Sequence, residues 1–221
     1  MCNIHDWLNA NKLSLNISKT KSILVCSKRI KSTTQEANLS LPVENNPIEQ
    51  VQSSTYLGVV VDDQFHFKTH FESLISKLRR VVGILRRVSP FIPQDTRKIL
   101  YNTLFLPHID YCSPVWCTLP KTCIQRIQRI QNRGMRIILD SHPRSHADDL
   151  LNELQFMSTN QRLHFNICAQ MWKIVHGNAP SYLANVFTIK HNNYSRHSIC
   201  TRSSAKLDVC LERVHKDSFQ Y

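Results

Sequence analysis

The chain has 221 residues, 42% of them apolar, and carries 28 Lys+Arg against 16 Asp+Glu, a formal net charge of +12. That apolar share supports a packed core in one large domain or two small ones and excludes a disordered chain. No apolar run approaches the roughly 18 residues of a membrane span, and MCNIHDWLNANK lacks the basic-then-apolar order of a leader, so the expectation is an intracellular protein, nuclear or cytoplasmic, with no membrane partner.

In chain order, residues 6–15 (DWLNANKLSL) place Trp7, Leu8, Ala10 and Leu15 at helical spacing, with Asn11 and Asn16 as end signals. Ser22–Cys26 reads as a strand. The polar, glycine-free stretch from about Lys28 to Asn46 reads as irregular, with a short pairing around Leu39–Leu41. Ile48–Val51 and Tyr56–Val61 read as strands, and Asp62-Asp63-Gln64 as the turn that follows.

From Thr69 the apolar period lengthens to about 3.6: Phe71, Leu74, Ile75, Leu78, Val82 and Leu85 form one stripe, and Arg79, Arg80, Arg86 and Arg87 fall opposite it. That helix ends near Ser89-Pro90. Pro93 and Asp95 open a second helix, which Pro107 is expected to stop near Leu106. A third spans 122–139, with Ile124, Ile127, Ile130, Ile137 and Ile138 on one side and Arg126, Arg129, Arg133 and Arg136 along an adjacent face. Ser145 reads as the cap of a fourth helix containing Asp148 and Asp149 in its first turn, and a fifth runs from about Thr159 to His176, closed by Gly177.

The charge is concentrated: residues 68–146 hold 14 basic and 4 acidic side chains, while residues 1–67 balance at 6 against 6. Such a block favours a polyanion, nucleic acid ahead of an acidic membrane or protein. Gly58, Gly83, Gly134 and Gly177 are the only glycines, too few and too scattered for a phosphate-cradling loop. Neither G-x-S-x-G, H-E-x-x-H nor C-x-x-C occurs. His108, Cys112, Cys117 and Cys123 match no common zinc spacing, the three thiols among them read as packed, and all eight cysteines read as reduced. The sequons at Asn16, Asn38 and Asn193 carry no weight in such a chain. Trp7, Tyr111, Trp116 and Trp172 have the chemistry to stack on bases, but among Leu and Ile the core reading is favoured.

Several ordered motifs carry a resemblance. Trp7, Asn11-Lys-Leu-Ser-Leu-Asn16, Lys19-Thr20, Tyr56-Leu-Gly-Val59 with Asp62, Phe65 and His70, then Arg97-x2-Leu100-Tyr101, Pro107-His-Ile-Asp-Tyr111, Trp116, Ile127-Gln-Arg-Ile-Gln-Asn-Arg133 and His176-Gly-Asn-Ala-Pro-Ser-Tyr-Leu183 together resemble the reverse transcriptases of non-LTR retrotransposons of the LINE-like, jockey-like kind. The resemblance implies an α+β, mostly α chain: residues 1–67 as the end of a palm with a primer-grip hairpin, 68–142 as a basic helical thumb, 143–187 as a helical C-terminal region and 188–221 as a polar tail. It implies duplex contacts from Tyr56, Leu57 and Gly58 and from the eight arginines above, and an accessory palm role for Lys19. The family's metal-binding aspartates, one of them in an aromatic-Ala-Asp-Asp turn, do not occur here, so the chain reads as a piece of an RNA-directed DNA polymerase, inactive by itself. No cofactor is then expected in this chain, Mg²⁺ belonging to the intact enzyme. By position Asp62-Asp63 falls in the hairpin, as a turn. The alternatives are a basic helical protein-interaction module domesticated from such an element and a pseudogene fragment that does not fold.

Overall fold

The computed structural model describes residues 2–26, 42–43, 46–184, 187–190 and 208–211. They form two compact units, 1–163 and 164–221. Helices predominate and the strands pair only two by two, an α+β chain that is mostly α.

The first unit opens with α1 (Cys2–Ala10). It stops short of the expected Leu15 because Lys12 turns left-handed (φ 55°) and Leu13 donates its N–H back to Leu8 O, which closes the last turn. A 3-10 turn, Ile17–Lys19, is capped by the Asn16 side chain. The expected strand at Ser22–Cys26 shrinks to β1 (Lys21–Ser22). The pairing foreseen around Leu39–Leu41 lies outside the described residues. Next come β2 (Pro42–Val43) and β3 (Asn46–Pro47), an antiparallel pair, and β4 (Glu49–Gln50), which runs parallel to β1.

The expected single strand Tyr56–Val61 is instead a hairpin, β5 (Ser53–Tyr56) and β6 (Val59–Asp62). Tyr56 pairs with Val59, so Leu57 and Gly58 form a two-residue turn with φ 47° and 82°. Positive φ at both central residues gives the twist that flanking strands favour, and Gly58 meets this without strain where Leu57 does not.

Six helices complete the unit's described residues: α2 (Lys68–Val88), α3 (Gln94–Leu104), α4 (Leu106–Asp110), α5 (Ser113–Trp116), α6 (Lys121–Leu139) and α7 (Ala147–Leu154). Pro107 does not end the helical stretch. It sits in the first turn of α4, where its missing N–H costs no helical bond. Ser145 is not the cap of α7 either: His146 holds that position without a side-chain bond. The stripe predicted on α2 is the core, with Phe71, Ile75 and Leu78 almost fully buried in one cluster with Ile127 and Ile138 of α6, Tyr101 of α3, Phe105 just past its end, and Trp116. Trp116 is thus core, as its Leu and Ile setting suggests, whereas Trp7, Tyr111 and Trp172, expected in the core on the same ground, are exposed.

Polar ties between elements are few and specific. Arg97 on α3 donates from Nη1 to the carbonyls of Ile137 (3.3 Å) and Ile138 (3.4 Å), saturating the C-terminal end of α6. Buried Gln131 donates to Met157 O and accepts from Thr159 Oγ1, at 2.9 and 2.7 Å. Arg162 grips Asp110 through two bonds of 2.6 Å. Helix α8 (Thr159–Val175) continues into the second unit, where Gly177 (φ 72°) and the N–H of Asn178 close its end. That unit also holds α9 (Ser181–Ala184) and an antiparallel pair, β7 (Phe187–Lys190) with β8 (Asp208–Leu211).

Candidate nucleic-acid interface

The two basic faces read from the sequence converge. Helices α2 and α6 wall an open cleft of about 880 Å³ into which α2 brings Arg79 and Arg86, and α6 brings Arg133 and Arg136. Val82 and Ile130 line it between the arginines, and Asp140 is its one carboxylate. The surplus of four guanidiniums over one acid makes a concave cationic surface, in which low-dielectric walls strengthen the field felt by an anion.

The remaining four arginines are placed otherwise. Arg126 donates to both carboxylate oxygens of Glu72 (2.7 and 3.1 Å) and lies over the Phe71 ring, 4.9 Å from its centroid. Hydrogen bonding to Arg126 holds the Glu72 carboxyl below its usual range and raises Arg126 in turn. Its charge is therefore already matched. Arg80, Arg87 and Arg129 are exposed outside the cleft lining, with Arg87 Nε donating to Gly83 O in its own helix. Arg136 is partly committed, since Nη2 donates to Ser145 O at 3.0 Å. Lys19 ends its 3-10 turn with an exposed side chain.

At the hairpin tip Tyr56 and Leu57 are 70% and 72% exposed, while the space beside Gly58 is occupied. A Cβ there would meet the Tyr111 ring at 3.6 Å, and the Tyr111 hydroxyl donates to Leu57 O. Sequence reasoning weighed Tyr111 only as a stacking or core residue. Pattern alone gives no sign of a bond spanning 54 positions.

Asp62 settles the acidic doublet in physical terms. Its carboxylate accepts from the backbone N–H of Gln64 (3.0 Å), His66 (2.8 Å) and Phe67 (2.6 Å), knitting the loop in which Phe65 and Phe67 both adopt positive φ. Burial pushes this carboxyl up, but the N–H donors and the nearby His66 outweigh it and leave the group below its ordinary value. A carboxylate so engaged is a poor metal ligand, and among the described residues no three His, Cys, Asp or Glu gather closely enough to hold an ion. Asp62 and the other described residues do not fit a magnesium site.

Two proteins of Drosophila melanogaster match this chain. One, described as a probable RNA-directed DNA polymerase from transposon X-element, is 25% identical over 137 residues, covering 60% of this chain and 14% of that protein. The other, a 115 kDa protein in type-1 retrotransposable element R1DM, is 32% identical over 107 residues, covering 45% of this chain and 10% of that protein. The chain is related to the reverse transcriptases of non-LTR retrotransposons. No family model matches it and no solved structure does. The chain thus spans a small part of the length of the two proteins it matches.

Several residues that carry the reverse-transcriptase resemblance hold the unit together. Arg97 secures the end of α6, Tyr111 fixes the hairpin tip, Asp110 grips Arg162, and Gln128 and Gln131 hold Thr159. Trp116 Nε1 donates to Tyr111 O at 2.9 Å, which ties the aromatic pair to one another. Among the described residues no helix is long and apolar enough to cross a membrane.

Proposed function

We propose that this chain is the duplex-holding part of a reverse-transcriptase protein: the palm-end hairpin presents Tyr56 and Leu57 at its tip, and the thumb-like helices α2 and α6 hold an RNA–DNA hybrid or DNA duplex by its phosphates. The observation that supports this best is the convergence of Arg79, Arg86, Arg133 and Arg136 on one cleft with a single carboxylate. Guanidinium forks suit phosphate oxygens, and contacts confined to the backbone hold a duplex without reading its sequence. Nucleotide transfer is assigned to residues this chain does not contain. Lys19 keeps its accessory palm role only in a protein that supplies the rest of that site.

The test is fluorescence anisotropy of labelled RNA–DNA hybrids of unrelated sequence, titrated with the purified chain across a salt series. Binding is expected to fall linearly on log–log axes, with hardly any dependence on sequence. Replacing Arg79, Arg86, Arg133 and Arg136 by Gln should flatten the slope by up to about four, whereas Arg126→Gln with Arg129→Gln should change it by about one at most, because Arg126 is tied to Glu72. An unchanged slope in a folded quadruple variant overturns the clamp. Retention of a protein partner with weak salt dependence would favour the interaction-module reading instead. In a primer-extension assay the chain should incorporate no nucleotide, and metal-dependent extension abolished by Asp62→Asn would overturn the turn reading of that residue.

A further inference from the structure

The two-bond contact between Glu72 and Arg126 sets residue n of α2 near residue n + 54 of α6, and Val82 beside Gly134 sets it near n + 52. Val82 stays within 3.8 Å of the point a Cβ would take on Gly134, so the helices run side by side in the same direction. Seven residues bring a helix back to within ~20° of the same face and ~10.5 Å further along. The next rung is therefore Arg79 with Arg133, and the one after it Arg86 with Asp140. All four line the cleft. The first rung joins a base to an acid in an ion pair, and the third sets Arg86 across from Asp140 on the cleft lining. The middle rung has two cations.

Among the described residues neither guanidinium of that middle rung has an ion-pair partner, and the charge of Arg79 acts on Glu72 only from a distance. Asp140 belongs to the third rung, and both oxygens of Glu72 are held by Arg126. Three of the last four carbonyl groups of α6, which would repel an anion, are also occupied: those of Ile137 and Ile138 by Arg97, and that of Arg136 by the N–H groups of Asp140 and Ser141.

We propose that the middle rung is the seat of one phosphate group, held between Arg79 and Arg133. A phosphodiester presents two unesterified oxygens, one for each guanidinium wall, and a free phosphate presents the same pair. The seat rests on the cleft's reading as a phosphate-binding surface and names the contact at its centre. Arg86, Arg136 and the exposed arginines then add to a general field.

Arg79→Glu tests it, because a carboxylate opposite Arg133 repeats the first rung. The apo protein should melt at a higher temperature than wild type. The stabilisation that wild type gains from inorganic phosphate over chloride of equal ionic strength should vanish. Affinity for an RNA–DNA hybrid should fall about tenfold, with a salt slope shallower by more than one, since one contact is lost and a repulsion added. Lys121→Glu makes the same charge change at the opposite end of α6 and should keep the phosphate effect. Arg79→Gln, which adds no new pairing, should also lose it. A phosphate effect absent from wild type, kept in Arg79→Glu, or lost equally in Lys121→Glu overturns the seat. If the phosphate arm behaves as expected but wild type binds no hybrid, the seat stands with free phosphate as its ligand and the duplex reading fails. If hybrid binding and its slope are indifferent to Arg79→Glu and phosphate has no effect, the duplex reading stands and the seat fails.

Discussion

The hydroxyl of Tyr111, at the end of α4, donates to the carbonyl of Leu57 at the tip of the β5–β6 hairpin. A helix end thus holds a turn whose first residue is in a conformation that L side chains avoid, φ 47°. Leu57→Asn, which restores the preferred residue for such a turn, should stabilise the protein by about 1 kcal/mol in chemical denaturation. Tyr111→Phe should speed amide exchange of the hairpin while leaving α2 and α6 unchanged. Equal acceleration everywhere would mean the contact is not local.

Two groups at the junction of hairpin and α2 make the fold acid-sensitive in separate windows. His70 is buried, accepts from Val60 N–H at 3.4 Å, and has its pKa lowered first by burial and then by the charge of Lys77. The unfolded chain therefore takes up this proton first, and stability should fall as pH drops below about 6.5. Asp62 acts lower. Its folded pKa lies below the unfolded one, so its contribution is full above about pH 4 and is lost as pH falls through the folded value. Denaturation midpoints measured between about pH 7 and 3 should show a smaller first limb in His70→Leu, where half-buried His108 still contributes, and a smaller second limb in Asp62→Ala, where Glu72 still contributes.

Two helical glycines should respond to alanine with opposite signs. Gly83 has open space around it, so Gly83→Ala should stabilise by up to about 1 kcal/mol through helix propensity. At Gly134 a Cβ would come to 2.9 Å from the Tyr101 ring, which is fully buried and stacked between Phe105 and Phe156. Overpacking of about 1–3 kcal/mol should outweigh the same propensity gain, leaving Gly134→Ala destabilised. Urea denaturation of both variants checks the pair.

Gln131→Leu should destabilise by about 1–3 kcal/mol, because Thr159 Oγ1 loses its acceptor and Met157 O its donor where Gln131 and Thr159 are each 1% exposed. A neutral result would show that the surrounding chain re-satisfies both groups.

The helices were legible because their signal is repeated: on α2, Phe71, Leu74, Ile75, Leu78, Val82 and Leu85 recur at helical spacing and all six are buried. Single events were not. A turn carried by Leu at positive φ has no compositional mark, and Pro107 could either stop one helix or start another until the packing decided. Periodicity also gave the arginine faces but not what they face. Arg126 and Arg133 share a stripe, yet one meets Glu72 and the other opens on the cleft, since that difference lies in α2 and not in their own helix.

Three ties overlap along the chain: Leu57 to Tyr111, Glu72 to Arg126, and Asp110 to Arg162, separated by 54, 54 and 52 positions. Each interval begins before the previous one has closed. Every peptide bond from Leu57 to Arg162 therefore lies inside at least one of them, and a break anywhere in that span separates a pair that the fold joins. A ribosome making this chain cannot complete the first tie before Tyr111 emerges or the last before Arg162, and the cationic walls of α2 and α6 cannot come together before Arg126 has emerged. Recombination that shuffles this region between diverged relatives should leave folded products only when its crossovers fall outside those limits.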